Sequence, residues 1–297
     1  MLPPSLRPPS APLWQRLWRH PFFKRGFYEV LGLVLWRRQG LQLLNCGYAE
    51  PDYPRFPLPP SDEAERLGYQ LYHRLVRDTP LAGNDLVEIG CGRGGGARFL
   101  ARECRPRRLI ATDASRLLIL GNRRGPRPPN LEFIAAPARR LPLPAGSCDV
   151  VISVEAVHPQ PDKGALLAEA ARVLRPGGRL LVADFFYTRE SSPNATAGFR
   201  ALVDASSFEP TAAEDWTAQA VAALEADSPR RLAEIDRLPR LLRPAALSFA
   251  GTVRSPLYRQ LRQGQASYLF FCLRTPSAAA REAAGPPLSL RPEPPAP

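Results

Sequence analysis

The chain has 297 residues, is 44% hydrophobic and carries a formal net charge of +12, which suits one substantial domain with embellishments and excludes a disordered polypeptide. All but Lys24 and Lys163 of its 40 basic residues are arginine, and they are scattered rather than gathered on one basic, aromatic face. A specific nucleic-acid partner is therefore not expected.

The five cysteines form no C-x-x-C pair, and only three histidines are present. Both counts argue against a disulfide framework or a bound metal, and for reduced thiols in a cytosol-like compartment. Residues 1–12 are rich in proline, and a helical pattern follows over about 13–44. The first 45 residues set Arg7, Arg16, Arg19, Lys24, Arg25, Arg37 and Arg38 against the single acid Glu29, with Trp14, Trp18, Phe22, Phe23 and Trp36 interleaved. Their apolar run at 26–36 is too short to span a bilayer. Three readings stay open: a helical cap on the main domain, peripheral contact with anionic lipid through residues 13–45, or a mitochondrial-type transit segment.

The segment PDYPRFPLPP (51–60) is a linker no helix could cross. Ser61 is expected to cap a helix reaching about residue 78, with Glu63 and Glu65 in its first turn. Strands at 86–89, 108–113, 131–135, 148–154 and 179–185 then alternate with helices at 95–104, 114–123 and 162–174. That alternation predicts an α/β fold, a doubly wound parallel sheet. Beyond residue 185 the chain reads as helical over 197–206 and 212–243, broken by Pro210, Pro229, Pro239 and Pro244. A last apolar strand follows at 266–274. The expected organisation is an N-terminal region (1–60), a main domain (61–275) with a helical substrate cap at 186–265, and a disordered Pro/Ala-rich tail (276–297).

In DLVEIGCGRGGGAR (85–98), Gly90, Gly92 and Gly95 spell a dinucleotide fingerprint, while Glu88, Gly90, Gly92 and Gly94 spell E-x-G-x-G-x-G. In either pattern the glycines admit a ligand close to the backbone at the switch point of the sheet. Asp113, ending the second strand, can accept from ribose hydroxyls of either cofactor. Cys91 reads as a small packing residue of the loop, and Arg93 and Arg98 as solvent-facing.

Three features separate the cofactors. Glu88 is acidic where dinucleotide sites are usually apolar. ARRLPLPAGSCDVVIS (138–153) and ARVLRPGGRLLVADF (171–185) resemble, in order and spacing, two runs of the class I S-adenosylmethionine (SAM)-dependent methyltransferases. LNCGYAEPD (44–52), SVEAVHPQPD (153–162) and the ending at 247–274 resemble small-molecule O-methyltransferases of natural-product and lipid pathways, the rebeccamycin sugar and phthiotriolone methyltransferases among them. The resemblance covers about residues 45–274 and implies a seven-stranded Rossmann-like sheet. It places Tyr48 over the methionine end of SAM, Glu88 and Glu155 near its amino-acid end or the substrate, and Gly90, Gly92 and Gly94 along its backbone side. Asp113 falls on the ribose and the Ala138 N–H by the adenine. Pro137 departs from the pattern, standing where the family usually carries an adenine-binding acid.

Methyl transfer to a hydroxyl needs a base, and His158 and Asp184, 26 residues apart on neighbouring strand ends, match the family's His and Asp. The implied activity is methylation of a hydroxyl on a hydrophobic polyketide, lipid or quinone-like molecule. His158 would take the proton and Asp184 would orient it. His20 and His73 have no such partner. The competing readings are a non-catalytic SAM-fold binding protein, an NAD-dependent oxidoreductase and, more remotely, an RNA methyltransferase.

Overall fold

The computed structural model describes residues 41–240 and 242–277. The segment 13–40, with its open readings as cap, lipid contact or transit peptide, lies outside the described residues, as does the tail from 278. Among the described residues no helix is long and apolar enough to cross a membrane.

Seven strands form one sheet in the order β3-β2-β1-β4-β5-β7-β6. They are β1 (Asp85–Ile89), β2 (Arg108–Asp113), β3 (Leu131–Ala135), β4 (Cys148–Val154), β5 (Leu174–Tyr187), β6 (Glu209–Asp215) and β7 (Ala266–Arg274). The first five run parallel, and β7 is antiparallel to both its neighbours. The helices are α1 (Arg66–Val76), α2 (Gly95–Glu103), α3 (Arg116–Arg124), α4 (Lys163–Val173), α5 (Thr196–Asp204), α6 (Thr217–Asp236), α7 (Arg243–Phe249) and α8 (Pro256–Arg262).

Period-two alternation divides the core. Leu86, Ala111, Phe133 and Ile152 face α1, α2 and α6, whereas Val87, Ile89, Val151 and Val182 face α4 and α5. Each such aliphatic side chain contributes about 1.5–3 kcal/mol on full burial, so strands buried on both faces hold the sheet without relying on strand propensity. Local caps set two helices: Ser115 accepts from Leu118 N–H at 3.1 Å and starts α3, and Asp162 accepts from Ala165 N–H at 2.8 Å and starts α4. α4 ends at Val173 and β5 begins at once at Leu174, so RPGG lies as an irregularity inside that strand rather than as a turn ahead of a strand at 179–185. Gly177 adopts φ +77°, and the β4–β5 register jumps from Cys148↔Leu174 to Val150↔Arg179.

Two further expectations are corrected. Ser61 caps no α-helix: its hydroxyl donates to Asp62, a single 3-10 turn follows at Glu63–Glu65, and α1 begins only at Arg66. Glu65 is withdrawn from the helix start because both its oxygens accept from the Gln42 and Leu43 N–H groups, each at 2.8 Å. The region 186–265 is not purely helical, since it holds the edge strand β6. EPTAAED has little strand propensity, but Trp216 stacks on Phe270 at 4.7 Å and Glu214 pairs with Arg74 at 2.6 Å. Pro210 is accommodated there because the outer side of an edge strand needs no N–H donor.

Candidate active site

The glycine loop joins β1 to α2 at the point where the sheet order reverses. Gly90 N–H and Cys91 N–H both donate to the Thr112 carbonyl, at 2.8 and 2.9 Å, so the chain turns sharply back toward β2. Gly90 has φ +77°, and a Cβ there would lie 2.3 Å from Ala156 Cβ, so no larger residue fits. Gly92 has φ +51° with nothing within 4 Å of a Cβ, and its N–H donates to Asp113 Oδ2 at 2.9 Å. Gly94, at φ +74°, opens α2. Asp113 Oδ1 accepts from Ser115 N–H at 2.8 Å, which fixes its carboxylate beside the loop. Cys91 is buried, as a packing residue should be. Arg93 and Arg98 are half-buried rather than solvent-facing: Arg93 donates to the Leu41 carbonyl, and Arg98 to the Arg93 and Pro126 carbonyls while lying over the Phe133 ring.

Glu88 sits just before the loop and is fully buried. Its Oε1 accepts from the Tyr72 hydroxyl at 2.7 Å, while Oε2 is buried without a partner. Burial pushes the carboxyl up to about 7, opposed by the Tyr72 hydrogen bond and reinforced by Asp113. Ser153 Oγ, near the end of the neighbouring strand β4, is likewise buried and unpartnered. Buried polar atoms left unpaired are costly, and an orphaned carboxylate oxygen beside a glycine cradle suits a cationic ligand group.

Residues 42–49 cross the carboxyl edge of the sheet as a strap tied by side chains and by carbonyls of α1 and α6. Glu65 holds Gln42 and Leu43, Asn45 donates to the Gly68 carbonyl, and Tyr48 N–H donates to the Leu67 carbonyl at 3.0 Å. The buried Arg231 of α6 donates to the Asn45 carbonyl at 2.9 Å and pairs with Asp227 at 2.7 Å. Tyr48 is buried against Trp216 and Tyr53, and its hydroxyl donates to Glu50 at 3.1 Å. Glu155 follows β4 with a left-handed φ of +51°. Its Oε1 accepts from Cys46 N–H at 2.6 Å and from the Tyr268 hydroxyl at 2.9 Å, and burial raises its carboxyl above the ordinary range.

His158 and Asp184 are brought together as their positions require. Asp184 has no exposed surface, and its oxygens accept four hydrogen bonds. Val157 N–H at 2.8 Å and His158 N–H at 2.9 Å reach Oδ2; Phe185 N–H at 2.8 Å and His158 Nδ1 at 2.9 Å reach Oδ1. With Nδ1–H donating to the carboxylate, Nε2 presents its lone pair and makes no hydrogen bond among the described residues. The Phe185 ring, 4.1 Å away centroid to centroid, supports the imidazole face. His73, by contrast, is a packing residue, stacked on Phe56 at 4.3 Å and bonded to the Tyr53 hydroxyl at 2.7 Å.

Ala138 is buried beside β3 and Pro137 is exposed. Tyr72, Cys46, Tyr268 and Arg231 escaped the sequence reading. Cys46 and Tyr268 lie inside segments singled out for other residues, LNCGY and the C-terminal run. Tyr72 and Arg231 belong to no motif, because only the packing of α1 and α6 brings them to the site.

Residues 87–182 match the Methyltransferase domain family. The chain is 32% identical over 266 residues to a phthiotriol/phenolphthiotriol dimycocerosates methyltransferase of Mycobacterium tuberculosis, covering 89% of this chain and 93% of that protein. The chain belongs to the class I SAM-dependent methyltransferases. It is also 34% identical over 235 residues to a fatty-acid O-methyltransferase of Mycolicibacterium smegmatis, covering 79% of this methyltransferase and 83% of that one. In fold it is similar to a geranyl diphosphate C-methyltransferase of Streptomyces coelicolor, with a TM-score of 0.60 at 16% identity over 83% of this chain and 97% of that one. The StiE O-methyltransferase domain gives a TM-score of 0.61 at 21% identity over 84% and 89%. The cofactor of this methyltransferase is SAM, and the glycine cradle, Asp113 and the orphaned Glu88 oxygen fit it.

Proposed function

We propose that this methyltransferase transfers the methyl group of SAM to a hydroxyl oxygen of a hydrophobic lipid or polyketide-like molecule. When bound, SAM supplies an electrophilic methyl group on a sulfonium. Glu88 and the loop at Gly90, Gly92 and Gly94 would hold its amino-acid end, Asp113 its ribose and the Ala138 N–H its adenine edge, under Tyr48. His158 Nε2 removes the acceptor's hydroxyl proton as the oxygen attacks. Asp184 keeps the proton of Nδ1 in place and stabilises the imidazolium that results.

The carrying observation is the His158–Asp184 pair, a histidine with one free nitrogen oriented by a fully buried, fully bonded carboxylate. Support for the acceptor class comes from the relatives' names, which speak of phthiotriol dimycocerosates and of O-methylation of a fatty acid. The test is incubation with methyl-labelled SAM and a hydrophobic metabolite extract, followed by mass analysis. The expected product gains one methyl on oxygen, and His158→Ala lowers turnover about 10²–10⁴-fold while SAM affinity by calorimetry stays within about threefold. Equal losses in both would make His158 a binding residue.

A further inference from the structure

One carboxylate at the site is bonded too deliberately to be a passive neighbour of the His158–Asp184 pair. Glu155 occupies a left-handed backbone conformation at φ +51°, a region that non-glycine residues enter at a cost and keep where the surroundings over-determine them. Its neighbour Ala156 is the residue that packs onto Gly90, and His158 follows three positions later on the same loop. Its own Oε1 collects two donors from distant parts of the chain, the Cys46 N–H of the strap and the Tyr268 hydroxyl of β7. The strap, the glycine loop and the histidine loop therefore meet at this residue.

We infer that Glu155 is a positioning residue: its carboxylate fastens the strap over the end of β4 and keeps a second negative charge on the histidine's side of the site. The assignment rests on the reading of His158 as the base. A strap tied here stays closed over the sheet edge while the imidazole gains its proton, and the charge of Glu155 favours that cation. The charged and titratable groups that face the imidazole or its carboxylate partner are Asp184 and Tyr187 on β5, Lys163 on α4, Tyr268 on β7, Cys46 on the strap and Glu155 itself. Among these the carboxyls are Asp184 and Glu155, and the basic side chain is Lys163. Lys163 is occupied by the Gln160 and Pro193 carbonyls.

Two measurements that need no acceptor test this in the full-length protein. Amide hydrogen exchange reports the strap, and proton NMR titration of the His158 ring resonances reports the charge. Glu155→Gly removes the carboxylate while relieving the backbone, so a folded variant is expected. The Cys46 amide should then exchange at least about tenfold faster than in the wild type. Tyr268→Phe should speed it less, about two- to fivefold, with the His158 titration unmoved. Glu155→Gln keeps an acceptor oxygen but removes the charge, and should move the His158 titration midpoint down by about half a unit to one unit. A Cys46 exchange rate within twofold of wild type in Glu155→Gly, or an unmoved midpoint in Glu155→Gln, overturns the proposal. Failure of the hydroxyl-methylation reading shows separately, as wild-type protein that transfers no methyl group to oxygen while both readouts behave as described.

Discussion

The carboxyl ends of β1 and β5 each carry an acid with almost no exposed surface, and the two are treated in opposite ways. Asp184 on β5 receives four hydrogen bonds from three backbone amides and an imidazole. Glu88 on β1 receives one, from Tyr72, and keeps an orphaned oxygen. A carboxylate whose oxygens are already saturated by the protein is a fixture, and it can hold one histidine in one tautomer. A carboxylate left short of donors is a vacancy for charge, raised to about 7 by burial until something cationic arrives.

Breaking the saturated side should give the largest effect. Asp184→Asn places an amide against backbone donors and frees the imidazole to choose its tautomer; turnover is expected to fall about 10²–10⁴-fold. Leaving buried donors unpaired costs about 1–3 kcal/mol, visible as a melting temperature lower by several degrees. A variant that keeps more than half of wild-type turnover would remove Asp184 from the mechanism.

The unsaturated side should respond to pH. Because the folded carboxyl of Glu88 is raised, its contribution to stability is fully present below the unfolded value near 4.5 and is lost as pH rises toward about 7. The SAM ammonium favours the ionised form, so binding should release protons below pH 7 and tighten as pH rises through it. Calorimetry in buffers of different ionisation enthalpy reads this proton release directly. Glu88→Gln should abolish it and weaken SAM binding about 10–100-fold, since a hydrogen bond to a charged group contributes about 1.5–3 kcal/mol.

The backbone that separates the two acids can be probed with a matched pair. Gly90→Ala suffers both the left-handed strain and a clash with Ala156, and should lose about 2–4 kcal/mol of stability in denaturant titration. Gly92→Ala meets no atom within 4 Å and should lose only about 1 kcal/mol. Equal losses would mean that strain alone governs the loop. The smallest effect is expected at the exposed Pro137, where Pro137→Asp restores an acceptor for the adenine amine and should tighten SAM up to about tenfold without changing turnover.

The parallel half of the sheet was readable because its instructions are local. Strands at 108–113, 131–135 and 148–154, and outside that half the antiparallel 266–274, are apolar runs that end where turn chemistry ends them, and the structure keeps those bounds. The glycine loop was equally legible, since closely spaced positive φ angles demand glycine whatever surrounds them. The edge strand β6 and the late start of α1 were not. In EPTAAED the decisive contacts come from Phe270 and Arg74, and at Glu65 from residues some twenty positions earlier.

The site divides along the same line. By itself the sequence determined the parallel strands and the cofactor loop, because each follows from short-range pattern, while the pairing of His158 with Asp184 came from their placement on neighbouring strand ends together with the family resemblance. Only the tertiary structure decided that Glu88 would be left with an unpaired oxygen, that Glu155 would be claimed by Cys46 and Tyr268, and that Arg231 would anchor the strap. Hydrogen-bond saturation of a buried group depends on donors brought from strands and helices distant in sequence, and no local pattern encodes which of them arrive.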